Sequence, residues 1–171
     1  MRHSYQIQYG RVFLRPLNEE DIEALRILRN KNRFYFNTKD YINSEQQKAW
    51  FRNYLDKKDD VMFAVETIGH SGEFIGAIAL YNICQERKTA EFGRTLIDKE
   101  RFSEKGIGTE AVSAVFQIAF EQMGMKKLTA NVLKKNRRAC KAYAKVGCVI
   151  VDEDEKSWYL EIEPGNLKEI S

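Results

Sequence analysis

Two glycines separated by one residue, Gly106 and Gly108, lie in the segment 101–109, which reads Arg-Phe-Ser-Glu-Lys-Gly-Ile-Gly-Thr. An extended-looking segment, 90–97, precedes them, and an apolar pattern of helical period, 107–123, follows. Strand, glycine turn and helix is a layout that directs free backbone N–H groups at a phosphate, because glycine allows close approach and the helix N-terminus carries about half a positive charge. A tight strand-to-helix turn without a ligand explains the same glycines, so the pair alone leaves both interpretations open.

Basic residues are concentrated around this loop. The net charge is only +3, but residues 101–145 carry ten Lys or Arg against three Asp or Glu, whereas residues 149–171 carry two against seven. A basic region around a glycine loop favours a small polyphosphate ligand. A nucleic-acid interface would need a broader basic stripe, so the sequence predicts a small-molecule partner and no nucleic acid.

Composition limits the remaining classes. A length of 171 residues predicts one domain, 1–171, with its core at about 11–163, and 43% hydrophobic with 31% charged residues is typical of a soluble protein. There is no apolar run of about 18 residues and no apolar signal core at the N-terminus, which predicts a cytoplasmic protein without a membrane segment. Three cysteines without metal-ligand spacing and only two histidines argue against a metal site and against a Ser-His-Asp triad.

Hydrophobic periodicity predicts an α/β fold, with one central mixed sheet of six or seven strands and helices on both faces. The predicted strands are 11–15, 61–66, 74–82, 89–97, 127–132, 148–152 and 158–162. The predicted helices follow Asn18, Ser44, Gly106 and Asn136, and Asn18 with Asp21 and Ser44 with Gln47 have the spacing of capping boxes. The fourth and fifth strands flank a helix, so we expect them to be parallel neighbours.

Alternation along the fourth strand assigns its side chains to two faces. One face is expected to hold Ala90, Phe92 and Arg94, and the other Glu91, Gly93 and Thr95.

Three segments in order resemble the GNAT superfamily of acetyl-CoA-dependent N-acetyltransferases. They are Lys-Gly-Ile-Gly-Thr-Glu-Ala at 105–111, the strand end Asn-Val at 131–132, and Asn-Arg-Arg-Ala-Cys-Lys-Ala-Tyr-Ala-Lys-Val-Gly-Cys at 136–148. The first is similar to the family signature Gln/Arg-x-x-Gly-x-Gly/Ala and the last to Asn-x-x-Ser/Ala-x-x-x-Tyr-x-Lys-x-Gly-Phe. Ser103 and Cys148 depart from these signatures, the first at a position usually held by Gln or Arg and the second at the usual Phe.

The resemblance implies that acetyl-CoA is the co-substrate. It places the pyrophosphate on the glycine loop, at Ser103, Glu104, Lys105, Gly106, Ile107, Gly108 and Thr109. It places the pantetheine arm along the fourth strand at Thr95, Leu96 and Ile97, where the fourth and fifth strands splay apart. Asn131, Asn136 and Arg138 resemble further contacts, although a strand end and a helix N-cap explain the two asparagines equally well.

Acetyl transfer needs a base for the amine, a donor for the oxyanion and a proton for the leaving thiolate. Tyr143 resembles the family tyrosine that protonates the thiolate, and a tyrosine of the core is the alternative. Glu91 is the candidate base, directly or through water, because a charge in the middle of a strand needs a reason. A salt bridge or an open sheet face is the alternative for Glu91.

The acceptor is expected to bind beside the first helix. Arg29, Asn30, Arg33 and Tyr35 offer donors and a ring face that suit an anionic or hydroxyl-rich acceptor. This segment resembles the amino-sugar enzymes of the superfamily most, which implies an amino sugar or its nucleotide. A polyamine would need acidic residues, and the loop after the helix has only Asp40. A protein or peptide N-terminus, and a non-catalytic acetyl-CoA-binding module, remain alternatives. The aromatic residues at 34–36 are equally consistent with a homodimer contact.

Overall fold

The computed structural model describes residues 2–36, 38–102 and 104–169. Ser103, which was expected at the glycine loop, lies outside the described residues. No helix in the described part is both long and apolar enough to cross a membrane. Its strands are β1 (Ile7–Tyr9), β2 (Val12–Pro16), β3 (Val61–Thr67), β4 (His70–Cys84), β5 (Thr89–Ile97), β6 (Lys127–Leu133), β7 (Val149–Glu153) and β8 (Ser157–Ile162). Its helices are α1 (Ile22–Lys31), α2 (Ser44–Asp56), α3 (Ile107–Gln117) and α4 (Arg137–Lys145).

The strands form one mixed sheet in the order β1-β2-β3-β4-β5-β6-β8-β7. Every neighbouring pair is antiparallel except β5 with β6, which is parallel as the intervening helix α3 requires. The α/β fold with a central mixed sheet is thus confirmed. The number of strands was underestimated, since eight are present in the described part. The additional one is β1, which has only three residues, too few for alternation to be recognised in the sequence.

Two helix starts test the capping predictions. The Asn18 side chain accepts the N–H of Asp21 at 3.3 Å and the Asp21 carboxylate accepts the N–H of Asn18 at 2.9 Å, which confirms the first capping box. The second was assigned one residue too late. Asn43, not Ser44, caps α2, and it exchanges its bonds with Gln46. An asparagine caps at least as well as a serine, so the helix begins at the earlier residue.

Hydrophobic cores lie on both faces of the sheet. On one face, α1 and α2 pack through Leu25, Leu28 and Phe51 against a cluster that includes Ala79 and Leu96. On the other face, α3 and α4 cover β5, where Phe92 meets Phe116 and Tyr143 edge to face at 4.6 and 4.9 Å between ring centroids. The two cores fix β5 from both faces of the sheet. Buried aromatic pairs of this geometry contribute stability beyond that of the surface area they bury.

β5 and β6 pair over only three residues. The partners are Thr89 with Lys127, Ala90 with Leu128 and Glu91 with Thr129, although both strands continue beyond that point. The predicted splay between these strands is therefore present, and it begins after Glu91.

On its other edge β5 approaches β4 unusually closely. A Cβ added to Gly76 would stand 2.0 Å from the carbonyl oxygen of Leu96. Only glycine at position 76 allows this approach, which draws the end of β5 toward β4 and away from β6.

Candidate active site

The splay opens into a cleft of about 1010 Å³. Its floor is the part of β5 beyond the last pair with β6, from Phe92 to Ile97. β6 and the start of α4 form one wall, and α1 with the loop after it forms the opposite wall. A smaller cavity of about 310 Å³ adjoins the cleft at the glycine loop, and both are lined by Lys99, Gly108 and Arg138. A concave site of this size at the splay of a mixed sheet is suited to an extended ligand.

The glycine loop forms the N-terminus of α3. Gly106 is the N-cap, with a left-handed φ of 97°, and a Cβ there would stand 3.1 Å from Nη2 of Arg11. Its carbonyl accepts the N–H groups of Thr109 and Glu110 at 2.8 and 2.9 Å. The N–H groups of Ile107 and Gly108 belong to the first helical turn, where no earlier helical carbonyl can accept them. They are suited to bind a phosphate at the smaller cavity, which Lys105, Ile107 and Thr109 also line.

Arg11 braces this loop from the turn between β1 and β2. Its guanidinium is ion-paired with Glu110 and, at 2.9 Å, with Glu104, and it donates to the carbonyl of Lys105 at 2.8 Å. The Glu104 side chain is therefore engaged with Arg11, while the residue itself still lines the smaller cavity. Sequence reasoning missed Arg11, because the contact spans about a hundred residues and leaves no local pattern.

Lys99 is a second residue that sequence reasoning missed. It lines both cavities, just beyond the end of β5. Burial, and then the charge of Arg138, lower the pKa of Lys99 to about 8. A bound phosphate would offset both effects, so Lys99 and Arg138 together suit an anion at the junction of the cavities. The available signal was its position, a lysine between the fourth strand and the glycine loop.

Tyr143 of α4 reaches into the cleft from the core. Its side chain is 4% exposed, and its hydroxyl lies 3.2 Å from Oγ1 of Thr95. Burial raises the pKa of Tyr143 to about 12, so the phenol keeps its proton at neutral pH. Tyr143 thus lies next to the floor strand and also packs in the core, and its role as proton donor stays a prediction.

The faces of β5 were assigned incorrectly at Arg94 and Thr95. Ala79 of β4 pairs with Gly93, but Ala77 pairs with Leu96, so β5 contains one additional residue and forms a β-bulge. Strict alternation ends there. Arg94 joins the face of α1 and α2, whereas Thr95 turns to the face of Tyr143.

Glu91 lies at the start of the splay, and it is not among the residues that line the cleft in the described part. Its carboxylate accepts a hydrogen bond from Asn82 at 2.8 Å, and it pairs across the sheet with Tyr81, which does line the cleft. Burial, and then the charge of Glu91, raise the pKa of Tyr81. Glu91 thus reaches the cleft only through Tyr81 or through solvent, and its role as base stays a prediction.

Six further residues that were predicted to contact acetyl-CoA lie along the cleft, and those contacts stay a prediction. Thr95, Leu96, Ile97, Asn131, Asn136 and Arg138 all line the cleft. Asn136 also caps α4, because its Oδ1 accepts the N–H of Ala139 at 3.2 Å. Capping uses only the amide oxygen, so the two interpretations of Asn136 are compatible.

Two of the four acceptor-side candidates line the cleft, Arg29 and Tyr35. Asn30 does not. It is buried below the loop, where its amide group exchanges two hydrogen bonds with the backbone of Ile42, at 2.8 and 2.9 Å. Arg33 is also absent from the lining, and its guanidinium donates to the carbonyl of Asn30 and stacks on Phe34.

Arg29, on the acceptor wall, has no acidic partner among the described residues. Its guanidinium lies 3.9 Å above the ring of Phe36, and Nη2 donates to Thr38. Nη1 is buried, and no described residue accepts a hydrogen bond from it. Burial lowers the pKa of Arg29.

Phe34, Tyr35 and Tyr41 expose more than half of their surface beside this wall. Tyr35 and Tyr41 border the cleft, whereas Phe34 does not. That these rings form a homodimer contact stays a prediction.

Comparison with known proteins identifies the architecture. The family model described as acetyltransferase (GNAT) domain matches residues 11–149. Acetyltransferase PseH of Campylobacter jejuni subsp. jejuni serotype O:23/36 (strain 81-176) is 30% identical over 155 residues, which cover 89% of this chain and 92% of that protein. Spermidine N(1)-acetyltransferase of Escherichia coli (strain K12) is 27% identical over 145 residues, which cover 83% and 75% of the two chains.

Solved structures show the same fold. The Campylobacter jejuni N-acetyltransferase PseH in complex with acetyl coenzyme A matches with a TM-score of 0.70 and 25% identity, over 90% of this chain and 99% of that one. Apo FdhC, a nucleotide-linked sugar GNAT, matches with a TM-score of 0.84 over 96% and 93% of the two chains. Its identity is 20%, so that similarity concerns the fold alone.

The bonds of Asn30 lead to a prediction about stability. Asn30→Ala is expected to lower the free energy of unfolding by about 2 kcal/mol, because the N–H and C=O of Ile42 both lose their partners in a partly buried position. Urea denaturation followed by circular dichroism measures the loss. Asn53→Ala, on the exposed face of α2, is the matched control and should change stability by less than about 0.5 kcal/mol. An equal effect of the two variants would contradict the anchoring role of Asn30.

Proposed function

Because the chain belongs to the GNAT family of acetyltransferases, we propose that it transfers an acetyl group from acetyl-CoA to the primary amine of an anionic small molecule, an amino sugar in its nucleotide-linked form. The family establishes the coarser activity, that of an N-acetyltransferase. The observation that supports the finer proposal is Arg29, a half-buried arginine on the acceptor wall whose buried Nη1 has no acceptor in the described part of the chain.

The cleft and the smaller cavity suit successive parts of acetyl-CoA. The first-turn N–H groups at Ile107 and Gly108, with the basic residues around them, suit the pyrophosphate. The edge of β5 from Thr95 to Ile97 lies along the gap, where a pantetheine arm with its amides can pair as an added strand. The thioester then lies toward Tyr143, because that side chain enters the cleft from α4 beside Thr95.

Tyr143 is proposed as the donor of the proton that the leaving sulfur needs. The nitrogen of the acceptor forms the new bond to the acetyl carbon, the carbon–sulfur bond breaks, and the phenol hydrogen passes to the sulfur. The amine proton leaves to a base, for which Glu91 remains the proposal, through Tyr81 or water. A backbone N–H of β5 near Leu96 or Ile97 is proposed to stabilise the oxyanion.

The charge of the cleft favours an anionic acceptor. Its basic lining residues are Arg29, Lys31, Arg94, Lys99, Lys135, Arg137 and Arg138, and its acidic ones are Asp40, Asp98 and Glu100. Glu100 is paired with Lys31, and Arg94 is paired with Asp60. The balance of the other lining charges is five basic residues, Arg29, Lys99, Lys135, Arg137 and Arg138, against two acidic ones, Asp40 and Asp98. A nucleotide diphosphate would supply the missing partner of Arg29.

A polyamine is the main competing acceptor, because one relative is a spermidine N(1)-acetyltransferase. A polyamine is a polycation and needs several carboxylates along its length. Asp40 is the acidic lining residue of the acceptor wall, which also carries Arg29. The charge balance therefore favours the sugar nucleotide.

A thiol-release screen tests the proposed function. The panel contains amino sugars, the same sugars as nucleotide diphosphates, polyamines, amino acids and short peptides, with acetyl-CoA as donor. The nucleotide-linked amino sugars are expected to exceed the free sugars by about tenfold or more in kcat/KM, as one charge-assisted contact would give. A preference for polyamines or for peptide N-termini would contradict the proposal, and release of no thiol with any amine, despite binding of acetyl-CoA, would support a binding module instead.

Arg29→Met tests the acceptor wall directly. The variant keeps the length of the side chain and removes its charge, so KM for an anionic acceptor should rise by about tenfold to a hundredfold, while KM for acetyl-CoA stays within about twofold. Initial rates of thiol release measure both constants. Arg52→Met, on exposed α2, is the control. If KM rises equally for an uncharged amine, Arg29 shapes the wall and does not pair with an anion.

Tyr143→Phe tests the proton donor. The variant keeps the ring that packs on Phe92 and removes only the hydroxyl, so kcat should fall by about a hundredfold or more while the affinity for acetyl-CoA is retained. Because the pKa of Tyr143 is raised to about 12, the phenol stays protonated from pH 6 to 10, and the pH profile of the wild type should show no loss in this range from this group. Tyr5→Phe, outside the cleft, is the control. A kcat within about twofold of the wild type would contradict the role of Tyr143.

A further inference from the structure

The bulge of β5 contains a residue in a strained conformation. Arg94 has a φ of 51°, in the left-handed region that side chains with a Cβ disfavour. Glycine occupies this region readily, and Gly93 directly precedes it, yet the left-handed residue is the arginine. A strained residue persists only where surrounding contacts hold it, so Arg94 must be fixed by contacts of its own side chain or of its neighbours.

The side chain of Arg94 is bound from the face of the sheet that carries α1 and α2. Nη1 donates to both carboxylate oxygens of Asp60 at 2.9 Å, and the guanidinium lies 4.3 Å above the ring of Tyr81. The Asp60 side chain is 3% exposed. Asp60 directly precedes strand β3 in the sequence. Its other cation, Lys57, is half exposed and more distant, with 3.3 Å between Nζ and Oδ2.

The bulge matters because it changes the face of the next residue. With Arg94 held on the α1 and α2 face, Thr95 turns to the opposite face, where its hydroxyl is 3.2 Å from that of Tyr143. Beyond it, Leu96 returns to the α1 and α2 face, so Phe92 and Leu96 lie in different cores, although they are four residues apart on one strand. The backbone from Gly93 to Ile97 borders the gap between β5 and β6.

We propose that the ion pair between Arg94 and Asp60 holds the β-bulge in place, and that Arg94 is thereby a positioning residue for acetyl transfer. The inference rests on the proposed function in one respect, since the group that the bulge positions is the thioester of acetyl-CoA beside Thr95 and Tyr143. A buried carboxylate that loses its main partner is strongly unfavourable, so Asp60 retains the guanidinium, and the guanidinium retains the left-handed backbone.

Two substitutions at the same position separate the ion pair from the strain. Arg94→Ala removes the guanidinium and leaves the left-handed backbone unfavourable, whereas Arg94→Gly removes both. Each is made in an Asp60→Asn background, so that no unpaired charge remains buried. Relative to the wild type, we expect the Arg94→Ala variant in this background to lower kcat by about tenfold to a hundredfold, as a displaced reacting group would, and the Arg94→Gly variant to recover most of this loss. The Kd for coenzyme A should change by less than about threefold, because the glycine loop is untouched.

Two outcomes would overturn the inference. An equal loss of kcat with alanine and with glycine would mean that the guanidinium contacts the substrate itself. A kcat of the Arg94→Ala variant equal to that of the wild type would mean that the bulge does not depend on the ion pair.

A readout without an acceptor separates this inference from the proposed function. In the Asp60→Asn background the glycine variant should be more stable than the alanine variant, with an equilibrium constant of unfolding about tenfold lower, measured in urea. If no amine on the panel is acetylated, the proposed function fails while this comparison still tests the bulge. An alanine variant as stable as the glycine variant would overturn the inference.

Lys88 supplies the matched control. It is also left-handed, with a φ of 55°, and it lies in the turn between β4 and β5, outside the lining of the cleft. The Lys88→Gly variant should be more stable than the Lys88→Ala variant, and kcat should be equal in the two. A difference in kcat at position 88 would show that relief of strain anywhere near β5 affects turnover, which would overturn the specific role of Arg94.

Discussion

The end of the pairing between β5 and β6 is the constraint on which the cleft depends. Beyond Glu91 and Thr129 the two strands separate, and in the described part of the chain no other strand pairs with β5 on this side. Backbone N–H and C=O groups require partners when they are removed from water, and an unpaired edge is a template for an additional strand. A ligand with amides in an extended arm meets this requirement without any particular side chain. The proposed binding of a pantetheine arm in the gap would therefore depend largely on the main chain.

The gap persists because each strand is held on its other edge. β5 pairs with β4, where Gly76 admits the carbonyl of Leu96, and β6 pairs with β8 over six residues. Phe92 is fixed between Phe116 and Tyr143 in the core below. Closing the gap would require these contacts to break, and aromatic packing of this kind is costly to disturb. The same packing that stabilises the sheet thus keeps the gap open, and it places Tyr143 at the margin of the proposed donor site.

Local features were predictable from the sequence and long-range pairing was not. The glycine loop, the caps at Asn18 and Asn136 and the splay follow from residue types at short spacing, or from a resemblance carried by such spacing. Alternation failed at Arg94, because a bulge adds one residue without a compositional mark when its left-handed position is not a glycine. Arg11 was missed because its partners lie far along the chain. Asn30 carries the right chemistry for a ligand, but its amide is bound to the backbone of Ile42.

Three arginines show why unsatisfied charge is more informative than the number of charges. Arg11 is paired with two glutamates and stiffens a loop, and Arg94 is paired with a buried aspartate and bends a strand. Their charges are compensated within the fold, so they have little attraction left for a ligand. Arg29 is the contrasting case, since it stacks on Phe36 and directs a buried N–H group to no acceptor in the described chain. Burial of an uncompensated cation is unfavourable, and an anionic ligand in the cleft would remove that cost. The acceptor is therefore best deduced from the one arginine of the three whose charge the fold leaves unbalanced.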